Sequence, residues 1–237
     1  MIPGPPPELA AAIEGRRTAR HFDPSRPVAD PLLSRLLSLA TRAPSPFNLQ
    51  PWRFLVVRSL ANRQTLRSCA FRRALITEAP VCVVVLGYLN PDKFLLDPVA
   101  DRMVALGAAD PASAEELRGR ARTYFSRLSE ADRIAWSTRV AAFAAATLTL
   151  AATSLGLASA WVDALDPARL RPAFGIPDDH AVCGILALGY SDDTPPDPGR
   201  LGLDEVCYEE HFGAPWTGGD DARDLEVGPC TPHTDQA

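Results

Sequence analysis

Two short stretches in the first quarter of the chain hold the residue types that can do chemistry. Arg16-Arg17-Thr18-Ala19-Arg20 puts three guanidiniums and a hydroxyl within five residues. A planar guanidinium presents N–H donors that match phosphate oxygens two at a time, and the Thr18 hydroxyl adds another, so Arg16, Arg17, Thr18 and Arg20 suit a phosphomonoester. A charge run is also what an ordinary solvated face looks like, and the cluster alone does not separate the two readings. The second stretch is Arg42-Ala43-Pro44-Ser45-Pro46-Phe47-Asn48-Leu49-Gln50-Pro51-Trp52-Arg53-Phe54. Pro44, Pro46 and Pro51 fix φ and bar a helix. Ser45, Asn48 and Gln50 are left on a constrained loop, where their polar groups can bond the edge of a planar heterocycle or tie the turn to itself.

Elements must hold these stretches. Apolar positions at helical spacing predict a helix over Pro31–Thr41, with Asp30 as its N-cap, stopping before Pro44. Further helices are expected near Pro6–Glu14, Ala61–Ala70, Ala112–Ser126, Glu130–Leu155 and Pro167–Phe174. Strands are expected at Arg53–Arg58, Val81–Tyr88, Ser159–Ala164 and Val182–Tyr190. Helices before, between and after a few strands suggest an α+β sandwich. The uncharged run Val140–Val162 is long enough to span a bilayer. It is built from Ala, Thr and Ser more than from Leu and Ile, so a buried helix at a tight interface, ending near Gly156, is the better reading.

Composition narrows the function classes. At 237 residues, 46% hydrophobic and 22% charged, the chain has the profile of one globular domain. A net charge of −5 argues against nucleic acid as a partner. Five cysteines (Cys69, Cys82, Cys183, Cys207, Cys230) without a C-x-x-C pair, and four scattered histidines, support neither a disulfide framework nor a metal centre. The N-terminus lacks the basic and apolar regions of a secretory signal, so a cytoplasmic location and no membrane association are expected. Pro195-Pro196-Asp197-Pro198-Gly199 reads as an extended connector, and residues 216–237 as a flexible tail. No G-x-G-x-x-G follows an expected strand, so the chain has no dinucleotide-binding unit of its own.

The motifs together resemble the FMN-dependent nitroreductase family. The resemblance rests on Arg-Arg-Thr-x-Arg-x-Phe-Asp at Arg16–Asp23, Ala-Pro-Ser-x-x-Asn-x-Gln-Pro-Trp-x-Phe at Ala43–Phe54, Glu78-Ala79-Pro80 before a strand, and Leu150–Leu157. It continues in Trp161–Pro167, Phe174-Gly175-Ile176-Pro177 and Ala187-Leu188-Gly189-Tyr190. It implies a nitroreductase-like sandwich whose central, mostly antiparallel sheet is flanked by helices. The domain, residues 1–215, would pair into an intertwined homodimer that exchanges C-terminal segments.

By the same resemblance, Arg16, Arg17, Thr18 and Arg20 would hold the FMN phosphate, with Arg200 adding a contact from the C-terminal segment. Pro44, Ser45, Pro46, Asn48 and Gln50 would line the ring from the partner chain, and backbone amides around Asp163 and Ala164 would face its reactive N5 edge. The hydride chemistry belongs to the cofactor, so no catalytic side chain is named. NADPH or NADH would reduce the flavin and leave before a nitroaromatic, quinone or related electron-poor small molecule takes its place, a ping-pong scheme. The insertion from Phe94 to Trp136 would set substrate choice, with Phe47, Tyr124 and Phe125 as candidate lid residues, although aromatic residues in a helix also serve as core.

The pattern departs from the family at four places. Pro46-Phe47 replaces small polar residues and puts an aromatic wall beside the ring. Arg72 or Arg73 would substitute for a lysine near the pyrimidine, Ala164 replaces a glycine, and Pro198 replaces a basic residue. Two other readings stay open: a flavin-dependent oxidase or dehydrogenase of a biosynthetic pathway, and a non-enzymatic flavin-binding paralogue.

Overall fold

The run Val81-Cys82-Val83-Val84-Val85-Leu86 is apolar at every position, so a strand made from it must be covered on both faces. The computed structural model, which describes residues 9–218, builds the chain around that strand. In chain order it contains α1 (Leu9–Gly15), α2 (Asp30–Ala40), a 3₁₀ turn (Pro46–Asn48), β1 (Trp52–Val57), α3 (Leu60–Cys69), α4 (Leu75–Glu78) and β2 (Val81–Tyr88). There follow α5 (Pro91–Phe94), α6 (Leu96–Ala105), α7 (Pro111–Ser126), α8 (Glu130–Ser154), β3 (Ala158–Val162), α9 (Pro167–Phe174), β4 (His180–Gly189) and α10 (Leu203–Val206). The chain divides into two compact units, one through Pro195 and one from Pro196 onward. The second contains α10 and a turn closed by an antiparallel bridge between Tyr208 and Pro215.

In the first unit the strands lie in the order β1-β2-β4-β3, every neighbouring pair antiparallel. Alternation along β2 divides the core. Val81, Val83 and Val85 join the cluster formed with Leu36 of α2, Phe125 of α7 and Leu148 of α8. Cys82, Val84 and Leu86 face the cluster that contains Leu66 of α3, Ile76 of α4 and Leu170 of α9. The result is the expected α+β sandwich with an antiparallel sheet between helical layers.

The central helix α8 starts from a capping box, Ser129 accepting from the Asp132 amide while the Asp132 carboxylate accepts from the Ser129 amide. It lies close on β2 because position 87 is glycine: a Cβ there would sit 2.6 Å from the Ser137 carbonyl oxygen. α8 has the length and hydropathy of a membrane span, yet Trp136, Val140, Ala144 and Leu148 are buried against the sheet and its neighbours. The chain turns at Gly156, φ 76°, and re-enters the sheet as β3.

Three local expectations are revised. Asp30 is the first residue of α2 and not its N-cap; Ala29 holds the cap position, and the Asp30 carboxylate pairs with Arg58. β3 ends at Val162, two residues short of the expected Ala164, where the last pair with β4 is made. The helices α4, α5, α6 and α10 lie outside the expected set. Three of them are single turns, too short to show a period, and Pro98 of α6 sits in the first turn, where its missing N–H costs nothing. Residues 6–8 of the expected first helix and 219–237 of the expected tail lie outside the described residues.

Candidate active site

The arginine cluster is held by backbone, not by its own side chains. Thr18 forms a parallel bridge with Ser159, and the Ala19 amide donates to the Ser159 carbonyl at 3.0 Å. The segment thus adds a short extension to the sheet beside β3. Ala19 and Phe22 are buried under it. The Arg20 amide donates to Asp193 at 3.1 Å and the Asp23 amide to the Tyr190 carbonyl at 2.8 Å. Alternation along this extended arm leaves Arg20 exposed beside buried Ala19. Arg16 reaches the Thr18 hydroxyl at 3.5 Å, whereas Arg17 donates to the carbonyls of Glu14 and Arg16.

Beside the arm lies a cavity of about 250 Å³ whose walls include Thr18, Arg20, Arg73, Leu75, Trp161 and Asp163. It settles which arginine of the Arg72-Arg73 pair faces this space. Arg73 is a wall residue, while Arg72 occupies a turn with φ 59° and is tied through its backbone to Arg67. Trp161, outside the expected set of site residues, is half-exposed on β3, and its indole lies over Gly184 of β4. A Cβ at 184 would come within 2.2 Å of the ring. Its signal in the sequence was alternation: between Ala160 and Val162, both buried, Trp161 must face the other way. Asp163 and Ala164 follow the last paired residue of β3, so their amides lie beyond the β3–β4 ladder.

The proline-rich loop is a separate construction. Leu49 is fully buried and Trp52 and Ala43 nearly so, which pins the loop from inside. Phe47, Asn48 and Gln50 all have positive φ, 56°, 54° and 45°. Three non-glycine residues in that region within four positions is concentrated strain of the kind that accompanies functional loops. Ser45 accepts from the Gln50 amide at 3.0 Å, and the Gln50 side chain donates to the backbone and side-chain oxygens of Asn48, both at 3.0 Å. The loop therefore does tie itself together, while the Asn48 side-chain nitrogen and the Gln50 side-chain oxygen have no hydrogen-bond partner among the described residues. Pro44 and Pro46 are exposed at its rim. None of residues 44–50 is a wall of the arginine cavity in the same chain. Arg200 belongs to the second unit, in the extended stretch before α10.

Of the aromatic residues on α7, Phe125 is fully buried, edge-on to Trp136 at 4.8 Å with the Arg133 guanidinium 5.2 Å from its ring centre. It is a core residue. Tyr124 is 38% exposed and meets Phe47 at 5.9 Å. Burial pushes the Cys82 thiol up to about 12 and that of Cys183 to about 11, so both stay protonated and unreactive at neutral pH. Among the described residues no group of three or more His, Cys, Asp or Glu is placed to hold a metal ion.

The sequence and the fold are both similar to those of known proteins. Residues 13–190 match the model of the nitroreductase family. A protein of Thermus thermophilus named NADH dehydrogenase is 35% identical over 191 residues, 81% of this chain and 90% of its own length. A 5,6-dimethylbenzimidazole synthase of Rhodospirillum rubrum is 27% identical over 80% of this chain and 85% of its own. A crystal structure from Exiguobacterium sibiricum, described as a nitroreductase in complex with FMN, superposes with a TM-score of 0.81 at 20% identity, covering 87% of this chain and 99% of that one. The chain belongs to the nitroreductase family and is an oxidoreductase of that fold.

Proposed function

We propose that the chain is an FMN-dependent NAD(P)H oxidoreductase that works by a ping-pong scheme as a cytoplasmic homodimer. Nitroaromatic, quinone or related electron-poor compounds are its acceptors. The observation that carries this reading is the convergence of Thr18, Arg20, Arg73, Trp161 and Asp163 on one cavity. The donor set fits the cofactor: guanidiniums and a hydroxyl for its phosphate and polar chain, an indole face for its ring, and free backbone amides at one end.

Bound FMN would supply the redox chemistry between NAD(P)H and the acceptor. The chain's own residues bind and orient. Arg16, Arg17, Thr18 and Arg20 hold the phosphate by charge-assisted hydrogen bonds. Arg73 would offset negative charge on the flavin, and the backbone amides of Asp163 and Ala164 would be hydrogen-bond donors to it. Pro44, Ser45, Pro46, Asn48 and Gln50 come from a second copy, which accounts for their absence from the cavity of their own chain. Residues 1–215 act as one functional domain in the pair, and the segment from Pro196, with Arg200, is the arm that crosses between copies. The exposed Leu9, Ile13 and Phe143, on α1 and α8, are apolar surface that such pairing would cover.

A second reading is a flavin-dependent oxidase or dehydrogenase in a biosynthetic pathway, favoured by the similarity to 5,6-dimethylbenzimidazole synthases. One experiment separates the two. The visible spectrum of the purified protein is recorded anaerobically before and after NADH or NADPH. A flavin band that bleaches is the expected result, a band that persists selects the second reading, and a colourless protein that FMN cannot reconstitute overturns both.

A further inference from the structure

A second cavity, of about 560 Å³, lies between the strained loop and α7. One stripe of the helix builds it: Glu116, Gly119, Arg120, Thr123 and Tyr124, with Arg127 at the C-cap, recur at intervals of one, three and four residues and face Phe47. It is a groove open to solvent, and its volume falls within the range of small-molecule sites.

Three features point to what it takes. Gly119 stands mid-helix, where glycine is the weakest former after proline. Packing does not require it, because a Cβ there would meet nothing within 4 Å. What glycine does at this position is keep the floor of the cavity open. Phe47 is held at φ 56° with its ring tilted against Tyr124, so two aromatic faces line one wall. The charge is positive at the rim. Arg120 makes a loose pair with Glu116 at 3.7 Å, and the Arg127 guanidinium has no hydrogen-bond or ion-pair partner among the described residues. With Arg120 and Arg127 against Glu116, the lining keeps one net positive charge, carried by Arg127, on a chain of net charge −5, and that favours an anion.

We propose that this cavity is the acceptor subsite and that it prefers planar aromatic acceptors bearing an acidic group. The ring lies along Phe47 and Tyr124 above Gly119, and the acid accepts hydrogen bonds from Arg127 and the Thr123 hydroxyl. The inference rests on the reading above that the loop of Phe47 runs along the flavin ring. The phosphates of the nicotinamide nucleotide are anions too, so the test separates donor from acceptor.

Full-length protein with its flavin is first reduced anaerobically, with NADH and NADPH in separate runs, and then oxidised with 4-nitrobenzoate or 4-nitrobenzamide, which match in shape and differ in charge. The expected result is a kcat/KM about tenfold higher for the carboxylate, the size of one charge-assisted contact. Arg127→Glu removes or inverts the preference, Arg127→Lys keeps most of it, and Gly119→Leu raises KM for both acceptors. Calorimetric titration with benzoate and benzamide, which cannot be reduced, gives a readout independent of turnover. Benzoate binds more tightly, and Arg127→Glu abolishes the difference even if the flavin reading itself fails. Equal kcat/KM for the two acceptors with equal binding of the two probes overturns the proposal. So does an Arg127→Glu effect confined to reduction by NADPH, which would assign the guanidinium to the donor's phosphate.

Discussion

The arginine arm and the proline loop carry comparable polar groups and are held in opposite ways. The arm, Thr18–Asp23, is fixed by its backbone, through the bridge to Ser159 and the hydrogen bonds to Tyr190 and Asp193, and it leaves Arg20 exposed. The loop, Ala43–Pro51, is fixed by buried Leu49, by three prolines and by hydrogen bonds among its own polar residues, at the cost of three positive φ angles. A binding segment held by backbone can vary its side chains without losing its shape. A segment whose shape is made by its side chains cannot, and there binding and folding are coupled.

The strongest test of that contrast is Leu49→Ala, which should cost about 2–5 kcal/mol, the range for emptying a fully buried leucine site. Urea unfolding measures it, and a loss below about 1 kcal/mol would mean that the loop is not pinned from inside. Arg20→Ala and Arg73→Ala should weaken FMN binding roughly 10- to 100-fold, the value of a hydrogen bond to a charged group. The unfolding midpoint of the flavin-free protein should stay unchanged, because neither side chain supports the arm. Equilibrium dialysis and unfolding of the same samples check both halves.

Smaller effects sharpen the comparison. Asn48→Ala should destabilise by about 1 kcal/mol, since alanine neither tolerates the positive φ nor accepts from Gln50. Asn48→Gly should recover part of that loss if backbone strain is the larger component, and none of it if the hydrogen bond is. Last is pH. The hydroxyl and amide of Ser25 hold the Asp23 carboxyl below its ordinary 3.8. Because the folded value lies below the unfolded one, this contribution is present above the ordinary carboxylate range and is lost as pH falls through the folded value. No side chain from Ala43 to Pro51 titrates in that range. In acid, before global unfolding, the Ser25 amide should lose protection from hydrogen exchange while the loop keeps its own, and Asp23→Asn should remove the pH dependence.

Much of the architecture was legible because it is written in local chemistry. The run Val81–Leu86 is apolar at every position, Gly156 marks the end of α8, and the prolines of the loop bar an α-helix there, leaving only the single 3₁₀ turn Pro46–Asn48. Capping reasoning misplaced Asp30 by one position, because a nearby Arg58 competes for its carboxylate. The single-turn helices escaped notice since four residues contain no period.

The sequence by itself determined which residue types are available to the site, that one strand is buried on both faces, and that the loop is rigid. These follow from side-chain polarity and from the fixed φ of proline, which do not depend on distant residues. Only the tertiary structure decided that Arg73 and not Arg72 faces the cavity, that Tyr124 is half-exposed while its neighbour Phe125 is core, and that Trp161 has a seat at Gly184. Each depends on the phase of an element against a neighbour far away in the chain, and the physical reason is packing. A half-turn of a helix or one position in a strand exchanges inside for outside, and what fixes that choice is the volume left by residues many positions away.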